Sequence, residues 1–289
     1  MGIATISLAS SNGDSVVVSA PNDVFMKDEI ILDTDPDGLY DTGFTVRTQS
    51  GAFERGGRIV GESVPIRELT LPFWLTQASR PRFQRLWGTP GNLRKVRWNY
   101  NGASGLRSLT CKLSKEIKYT TEGGFDAGVD GDIHAVVSAI AVNPFYESAE
   151  NVQSWTGPGT GWFTVWNPTD QEGWLEWELD PGSGWQIPDF SYNQERRWGY
   201  QRAVGQDANR MIVCPTLTTK LSVMSDPFMD TYVAADLSNV AGLFNGVEPL
   251  YPVPPYSPPR MMPVVCGTAG AKVTLRQRRF WSAESGLEQ

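Results

Sequence analysis

The sequence contains one histidine and three cysteines, and this scarcity excludes several kinds of catalytic and metal site. His134 is the only histidine, so a Ser-His-Asp site or a histidine-based metal site would depend entirely on it. It lies in an alternating run that predicts a strand, and we interpret it as an ordinary sheet position. No Gly-x-Ser-x-Gly motif occurs, and no cysteine pair has metal-ligand spacing. No cofactor, metal or catalytic residue is therefore predicted.

The cysteines, the hydropathy and the charge narrow the class of protein further. Cys111, Cys214 and Cys266 are odd in number and far apart, which indicates buried free thiols in a protein made in a reducing cytoplasm. A Cys214–Cys266 disulfide is the alternative. No apolar run approaches the roughly 20 residues that span a bilayer, and no signal pattern opens the chain. A net charge of −7 argues against nucleic-acid binding.

What the chain does have is glycine and proline, at 29 and 20 residues. Many turns between short strands fit this composition. The only helix predicted is Ser79–Trp87, with Ser79 as its cap, Pro81 in its first turn and Gly88 after it. Two further expectations concern proline: Pro72 predicts an edge strand or a bulge, and the tract at 249–263 predicts an extended loop outside any ladder. The fold class expected is mainly β, built from β-sandwiches.

A boundary is expected at Val142–Glu147, where an alternating run ends at Pro144 and a tryptophan-rich half begins. Pro144 cannot donate to a central ladder, so the strand must end there or reach an edge. We predict an N-terminal β domain at 1–147 and a C-terminal β-sandwich at 148–289. In the first half, the runs at 109–119 and 133–142 predict a long hairpin, joined by a glycine-rich loop, that can reach a neighbouring copy.

Three local patterns resemble ligand-binding or catalytic motifs, but each is better explained as an ordinary turn or strand face. Asp33-x-Asp35-x-Asp37-Gly38 copies the first half of an EF-hand loop, but Phe44 stands where the bidentate glutamate is needed. An acidic surface turn, or another kind of calcium loop, remains. The glycine-rich loop at 157–161 lacks a following helix to bind phosphate. Glu176 and Glu178 share a strand face and could form a glycosidase pair, although a solvated strand face is the commoner arrangement.

Charge is unevenly distributed along the first half. The segment 80–118 holds ten basic residues and one acid, whereas 23–41 holds seven acids and one base. Separate solvated faces are one interpretation. The other is head-to-tail pairing of subunits, in which the acidic loop of one copy meets the basic surface of the next. The subunit-interface candidates are Asp33, Asp35, Asp37, Arg80, Arg82 and Arg85.

Eight of the eleven tryptophans lie at or after Trp155. Exposed tryptophan rings on a β-sandwich form platforms for sugar rings, whereas buried rings anchor the core. Sequence alone leaves both alternatives open. The sugar-platform candidates are Trp162, Trp174 and Trp185.

Taken together, the layout resembles the distal tail protein of long-tailed siphophages, especially the minor tail proteins of mycobacteriophage-like viruses. The resemblance is carried by the apolar strand at 69–75 followed by the helix at 79–87, and by the strand that closes at Asn143–Tyr146. The opening of the second half at Trp166–Thr169 and the segment Leu250–Pro255 before a basic terminal strand also contribute.

This resemblance implies a structural virion protein at the distal tip of a non-contractile tail, made in the host cytoplasm. Its N-terminal domain would form a homohexameric ring that joins the tail tube protein to the tail-tip hub protein and anchors other minor tail proteins. Its C-terminal domain would resemble a galectin or carbohydrate-binding module. No catalytic residue is implied. The alternative function is a carbohydrate-binding protein that contacts host-surface glycan.

Overall fold

The computed structural model describes residues 4–20, 28–53, 55–121, 132–197 and 202–288. The predicted glycine-rich loop at 121–131 lies almost entirely outside them. The chain forms two compact units: the first is Met1–Ser148 with Trp281–Leu287, and the second is Ala149–Phe280 with the last two residues. The units divide at 148/149, whereas the sequence predicted 147/148, and Trp281–Leu287 return to the first unit.

Two groups of antiparallel strands make up the first unit. One has the order β2-β1-β9-β10 and the other β11-β12-β6-β3, and the end of β10 also pairs with β12. The strands are β1 (Thr5–Ser10), β2 (Ser15–Ser19), β3 (Ile30–Leu32), β4 (Thr45–Gln49), β5 (Arg58–Ser63), β6 (Arg67–Thr76), β7 (Gly88–Thr89), β8 (Asn92–Leu93), β9 (Val96–Gly102), β10 (Gly105–Leu113), β11 (Lys118–Thr121) and β12 (Asp132–Ala141). Strand β13 (Tyr146–Thr156) begins in this unit.

Alternation places one face of β6 and of β12 in the core. The buried set on β6 is Leu69, Leu71, Phe73 and Leu75, and Ile133, Ala135, Val137 and Ala139 are its counterparts on β12. The edge or bulge expected at Pro72 is wrong, because β6 lies between β12 and β3 with unbroken register to β12. The β3 pairing stops at Phe73, and only the Pro72 carbonyl is used beyond it, accepting from the Asp33 amide at 2.9 Å. The missing N–H therefore breaks no ladder bond to β3.

The predicted helix is present as α1 (Arg80–Trp87), with Phe83, Leu86 and Trp87 buried on one face. Gly88 ends it with a positive φ of 79°. Ser79 precedes the helix, but its hydroxyl does not cap it. That hydroxyl donates to the Glu29 carbonyl at 2.9 Å and accepts from the Thr76 amide at 3.0 Å, so it ties the helix start to the sheet instead.

The second unit is a sandwich of two antiparallel sheets. Their orders are β19-β18-β15-β21 and β14-β20-β16-β17. The rings of Phe163 on β14 and Trp177 on β15 pack edge to face in the core between the sheets, with their centroids 5.3 Å apart. The strands are β14 (Gly159–Asn167), β15 (Leu175–Leu179), β16 (Gln186–Pro188), β17 (Met211–Val213), β18 (Leu221–Met224), β19 (Tyr232–Ala234), β20 (Ser257–Cys266) and β21 (Lys272–Trp281), with a 3-10 helix at Ala241–Phe244.

Part of the proline-rich tract is ladder, contrary to the sequence prediction. Strand β20 contains Pro258, Pro259 and Pro263 and pairs with β14 along most of its length. Pro263 lies opposite Trp162, two positions from the Met261–Thr164 pair. The Thr164 amide points away from β20, toward a glutamine side chain. By strand periodicity the Pro263 nitrogen also points away from β14, so proline costs no bond to that strand.

Two glutamine side chains occupy the open edge of β14. Gln153 Nε2 donates to the Thr164 carbonyl at 2.6 Å, and its Oε1 accepts from the Thr164 amide at 3.0 Å. Gln277 Nε2 donates to the same carbonyl at 3.0 Å, while its Oε1 accepts from the Trp166 amide at 3.2 Å. These amides take the bonding positions of an additional strand, which is one way to protect an edge.

Two buried arginines hold the C-terminal segment in the first unit. Arg107 is fully buried, and its guanidinium carbon lies 3.8 Å from the centroid of the Trp281 ring. Its guanidinium donates to the carbonyls of Ala283 at 2.8 Å and Gly286 at 2.6 Å. Arg67 donates to the Ser282 carbonyl at 2.9 Å. The Trp281 indole N–H also donates to Ser148 Oγ at 3.0 Å, so the chain leaves and re-enters this unit at adjacent points.

Candidate functional site

The acidic loop at 33–41 is a built turn of the first unit. The Asp37 amide and carbonyl both bond to Thr70, at 2.9 and 3.1 Å. Asp33 lies 3.2 Å from His134, and the Thr34 amide is the main cause of a lowered pKa at Asp33. No group of three or more potential metal ligands occurs in the described ranges. The two bonds to Thr70 therefore hold the backbone of the loop at Asp37.

The three helix arginines differ in what they contact. Arg82 pairs with Asp28 at 2.6 Å and donates to the Ser15 carbonyl at 2.7 Å. Arg80 lies over the Tyr119 ring at 4.6 Å. Arg85 is exposed on the outer face of α1. Two of the three predicted interface arginines thus engage groups of their own unit, which fixes their positions on the surface.

An apolar groove of about 430 Å³ opens beside α1. Its apolar lining is formed by Pro90, Leu93, Leu113, Ile117 and Tyr119, and its polar lining includes the charged residues Lys115 and Glu116. Leu93 is 42% exposed, and burial of the Tyr119 ring raises the pKa of its hydroxyl. Sequence reasoning missed this groove, because its walls come from two separate segments, 84–93 and 113–119, that only the fold brings together.

The segment 44–66, which we call the arm, contains the β4–β5 hairpin. This hairpin pairs with no other strand of the described chain, and nearly all of its residues are exposed on both faces. Phe53 is fully exposed, and Ile59 and Phe44 are 73% and 69% exposed. The other exposed large apolar residues of the arm are Val46, Val60, Val64 and Ile66. An isolated two-stranded hairpin is at best marginally stable in water, and no other strand among the described residues extends this one.

Of the three sugar-platform candidates, one has an exposed ring. Trp162 is 59% exposed on the outer face of β14, next to Met261 and Pro263 of β20. Trp174 is half-buried. Trp185 is fully buried, with its indole N–H donating to the Asp180 carbonyl at 3.1 Å. A platform role for Trp185 is therefore wrong, because its ring belongs to the core of the sandwich.

One of the two acids of β15, Glu178, is held in an ion pair. Arg276 lies 3.1 Å from Glu178 and 2.8 Å from Glu150. Burial raises the pKa of Glu176, and the neighbouring Arg278 opposes that shift. All three cysteines are free and buried, as predicted. Burial raises the pKa of Cys111 and of Cys214 to about 12, so these thiols are poor nucleophiles.

A buried polar network in the second unit was also missed by sequence reasoning. Asp189 pairs with Arg210 and accepts from the amides of Leu250 and Tyr251, at 3.0 and 3.1 Å. The Tyr251 hydroxyl donates to Asp207 at 2.5 Å. These bonds fix the start of the proline-rich tract against the sandwich. Their partners are far apart in sequence, so no local pattern reveals them.

Comparisons with known proteins add the fold relationship. No protein-family model and no curated protein matches the chain. Among solved structures, it is similar to the SPP1 Dit (gp 19.1) protein, described as a paradigm of the hub adsorption apparatus in Gram-positive infecting phages. The TM-score is 0.57 and the identity 12%, over 94% of this chain and 98% of that one.

A second similarity is to a chain of the phage P2 baseplate in its activated conformation with Ca. Here the TM-score is 0.51 and the identity 10%, over 96% of this chain and 98% of that one. A chain of the same baseplate with Sr gives 0.50 at 8% identity. At these identities the likeness establishes the fold. Along almost its whole length, this chain has the mainly β fold of a phage distal tail protein, as the sequence resemblance predicted.

Proposed function

We propose that this protein is a structural component of a phage tail tip, forming a homohexameric ring at the distal end of a non-contractile tail. The observation that carries this proposal is a fold shared with Dit and baseplate chains over 94–96% of its length. In this proposal the first unit forms the ring. The ring joins the tail tube protein to the tail-tip hub protein and anchors other minor tail proteins.

The surface of the first unit supports an assembly role. The arm exposes large apolar residues, the groove beside α1 is apolar, and the acidic loop presents carboxylates on a fixed turn. Head-to-tail contacts between unlike surfaces close into a ring when the rotation between copies allows it. A scaffold role of this kind needs no catalytic group. Asp33, Asp35, Asp37 and Arg85 are the charged residues proposed to contact neighbours.

Native mass spectrometry of the purified protein tests the ring. Six chains of 31.9 kDa give a hexamer of roughly 191 kDa. Negative-stain images should then show six-fold particles with a central opening. A stable assembly with another copy number would contradict the hexamer. A monomer that stays monomeric when tube and hub proteins are added would contradict the ring itself.

The exposed Trp162 ring favours a second candidate function, attachment to host-surface glycan. It lies on a sheet face beside Met261 and Pro263, an arrangement that suits stacking against a sugar ring. Binding on a glycan array that Trp162→Ala abolishes, with Trp174→Ala as the comparison, would support this function. An array without signal from the assembled protein would remove it.

A further inference from the structure

The two outer faces of the second unit differ in charge. An antiparallel sheet usually has one apolar face in the core and one polar face in water. The sheet β19-β18-β15-β21 follows this rule, and the charged residues at the outward positions of β15 and β21 include Glu176, Glu178, Arg276 and Arg278. The sheet β14-β20-β16-β17 does not follow it. The outward positions that its register brings together form what we call the uncharged face: Thr160, Trp162, Thr164, Met261, Pro263, Val265, Gln186 and Val213.

Strand register makes the uncharged face continuous. One row of side chains crosses all four strands in the order Thr160, Val265, Gln186 and Val213. Neighbouring strands are about 4.8 Å apart, so this row is about 14 Å long. Trp162 lies in the next row, and Val213 and Trp162 are 66% and 59% exposed. Contiguous exposed apolar surface with polar groups beside it marks a ligand or interaction site.

The side chains of the uncharged face suit the chemistry of a sugar chain. The C–H face of a sugar ring is apolar and packs on an aromatic ring, and Trp162 offers its ring with Met261, 52% exposed, in the adjacent row. The hydroxyl of Thr160 and the amide of Gln186 can each donate to and accept from sugar hydroxyls. Ligand sites commonly combine an apolar lining with a few polar groups that fix orientation.

The lack of charge on this face selects against acidic glycans. A carboxylate, sulfate or phosphate placed against apolar side chains loses hydration, and only a paired cation or several hydrogen bonds offset that cost. The one arginine of β20, Arg260, is already engaged. Its guanidinium donates to the carbonyls of Ser191 at 3.1 Å and Ala208 at 2.6 Å, in the loop after β16. An uncharged glycan meets no such cost.

We propose that the uncharged face binds an uncharged glycan chain. The Trp162 ring stacks on one sugar, and the row from Thr160 to Val213 contacts the next. This inference deepens the second candidate function given above and rests on it, whereas the ring does not depend on it. It names the class of ligand and adds Gln186, Val213 and Met261 to the residues that determine specificity.

Affinity gel electrophoresis with paired polysaccharides tests the class of ligand. The probes are a soluble β-glucan, a galactan and a mannan, each used uncharged and again after partial carboxymethylation, so that only charge differs within a pair. At least one uncharged polysaccharide should retard the full-length protein, and its carboxymethylated form should retard it less. Equal or stronger retardation by the carboxymethylated form would overturn the inference and leave glycan attachment standing.

Retardation by no probe would overturn both the inference and glycan attachment. The uncharged face would then be left to a protein partner or a second copy. The ring would be unaffected, because native mass tests it separately.

Substitutions on the face and away from it locate the site. Trp162→Ala should weaken binding roughly tenfold or more, as the loss of a tryptophan anchor does. Phe228→Ala changes an aromatic side chain of the same unit that is 94% exposed and lies outside the uncharged face, and it should leave binding unchanged. Undiminished binding by a folded Trp162→Ala, checked by its thermal midpoint, would overturn the site.

A charge added on the face separates local chemistry from net charge. Met261→Lys should increase retention by the carboxymethylated polysaccharides, because it supplies the missing cation beside Trp162. Phe228→Lys changes the net charge by the same amount elsewhere and should not increase it. An equal gain for both variants would show that net charge governs retention, and would overturn the assignment to the uncharged face.

Discussion

Replacing Gln277 tests whether side-chain amides take the place of a strand at the edge of β14. Gln277 is 2% exposed and bonds the Trp166 amide, the Thr164 carbonyl and Asn151 Oδ1. Gln277→Ala leaves a buried N–H without its acceptor, which costs about 1–3 kcal/mol, and loses two further bonds at about 0.5–1.5 kcal/mol each. We expect a loss of about 2–6 kcal/mol in the free energy of unfolding of the second unit.

Gln277→Glu gives a sharper result than the alanine variant. Its carboxylate would face the Thr164 carbonyl with no proton to donate, so at neutral pH we expect a loss of at least about 3–5 kcal/mol, typical of an unpaired buried charge. Burial raises the folded-state pKa of such a carboxyl above its unfolded value. The penalty is therefore full above the folded pKa and disappears as pH falls below the unfolded value, because the protonated acid can donate.

Thermal unfolding followed by circular dichroism between pH 4 and 7 checks both variants. At roughly 3 °C per kcal/mol for a unit of this size, Gln277→Ala should lower the midpoint by roughly 6–18 °C. Gln49→Glu, on the exposed arm, is the control and should change little at any pH. Equal midpoints for Gln277→Glu and Gln277→Ala at pH 7, with no recovery in acid, would refute the proposed edge protection.

Three other predictions concern the backbone, the polar network and the C-terminal segment. Gly38→Ala should cost at least about 2 kcal/mol in unfolding experiments, since Gly38 has a positive φ of 72° and its Cβ would collide with the Glu68 carbonyl. Burial raises the pKa of Asp207, but hydrogen bonds from Tyr251 and Arg202 outweigh burial and leave the pKa lowered in the folded state. The Asp207 carboxylate therefore contributes to the free energy of unfolding above its unfolded-state pKa of 3.8. That contribution is lost as pH falls through the folded-state pKa. Arg107→Ala should cost about 3 kcal/mol, since it removes two hydrogen bonds and the stacking on Trp281.

Each of these has a comparison that isolates its cause. Gly13→Ala has a positive φ but no atom near the added Cβ, so an equal loss there would remove the argument from collision. Asp207→Asn should flatten the fall in thermal midpoint below about pH 4, and an unchanged acid limb would contradict the assignment. Arg97→Ala changes an exposed arginine on β9 and should leave the free energy of unfolding nearly unchanged. A loss equal to that of Arg107→Ala would show that the number of charges matters more than the contacts of Arg107 with the C-terminal segment.

Local signals in the sequence were sufficient for some elements and silent on others. Helix α1 was predictable because Pro81, Gly88 and the apolar stripe act within one segment. Trp185 was misassigned because it precedes a three-residue strand, where no alternation reports which way a ring points. The groove and the Arg82–Asp28 pair each join segments that are far apart in the chain. The arm is a single segment, but its exposure depends on how the rest of the unit packs. Their exposure is a property of tertiary packing, which one sequence does not encode in any local pattern.

The contact between Ser148 and Trp281 makes the second unit an insertion within the first. Because its two ends meet at a single point, a different domain with neighbouring termini can replace it without altering the path of the surrounding chain. The first unit and the second unit can thus change independently of one another. Recombination at these two positions would exchange the second unit and leave the first unit unchanged.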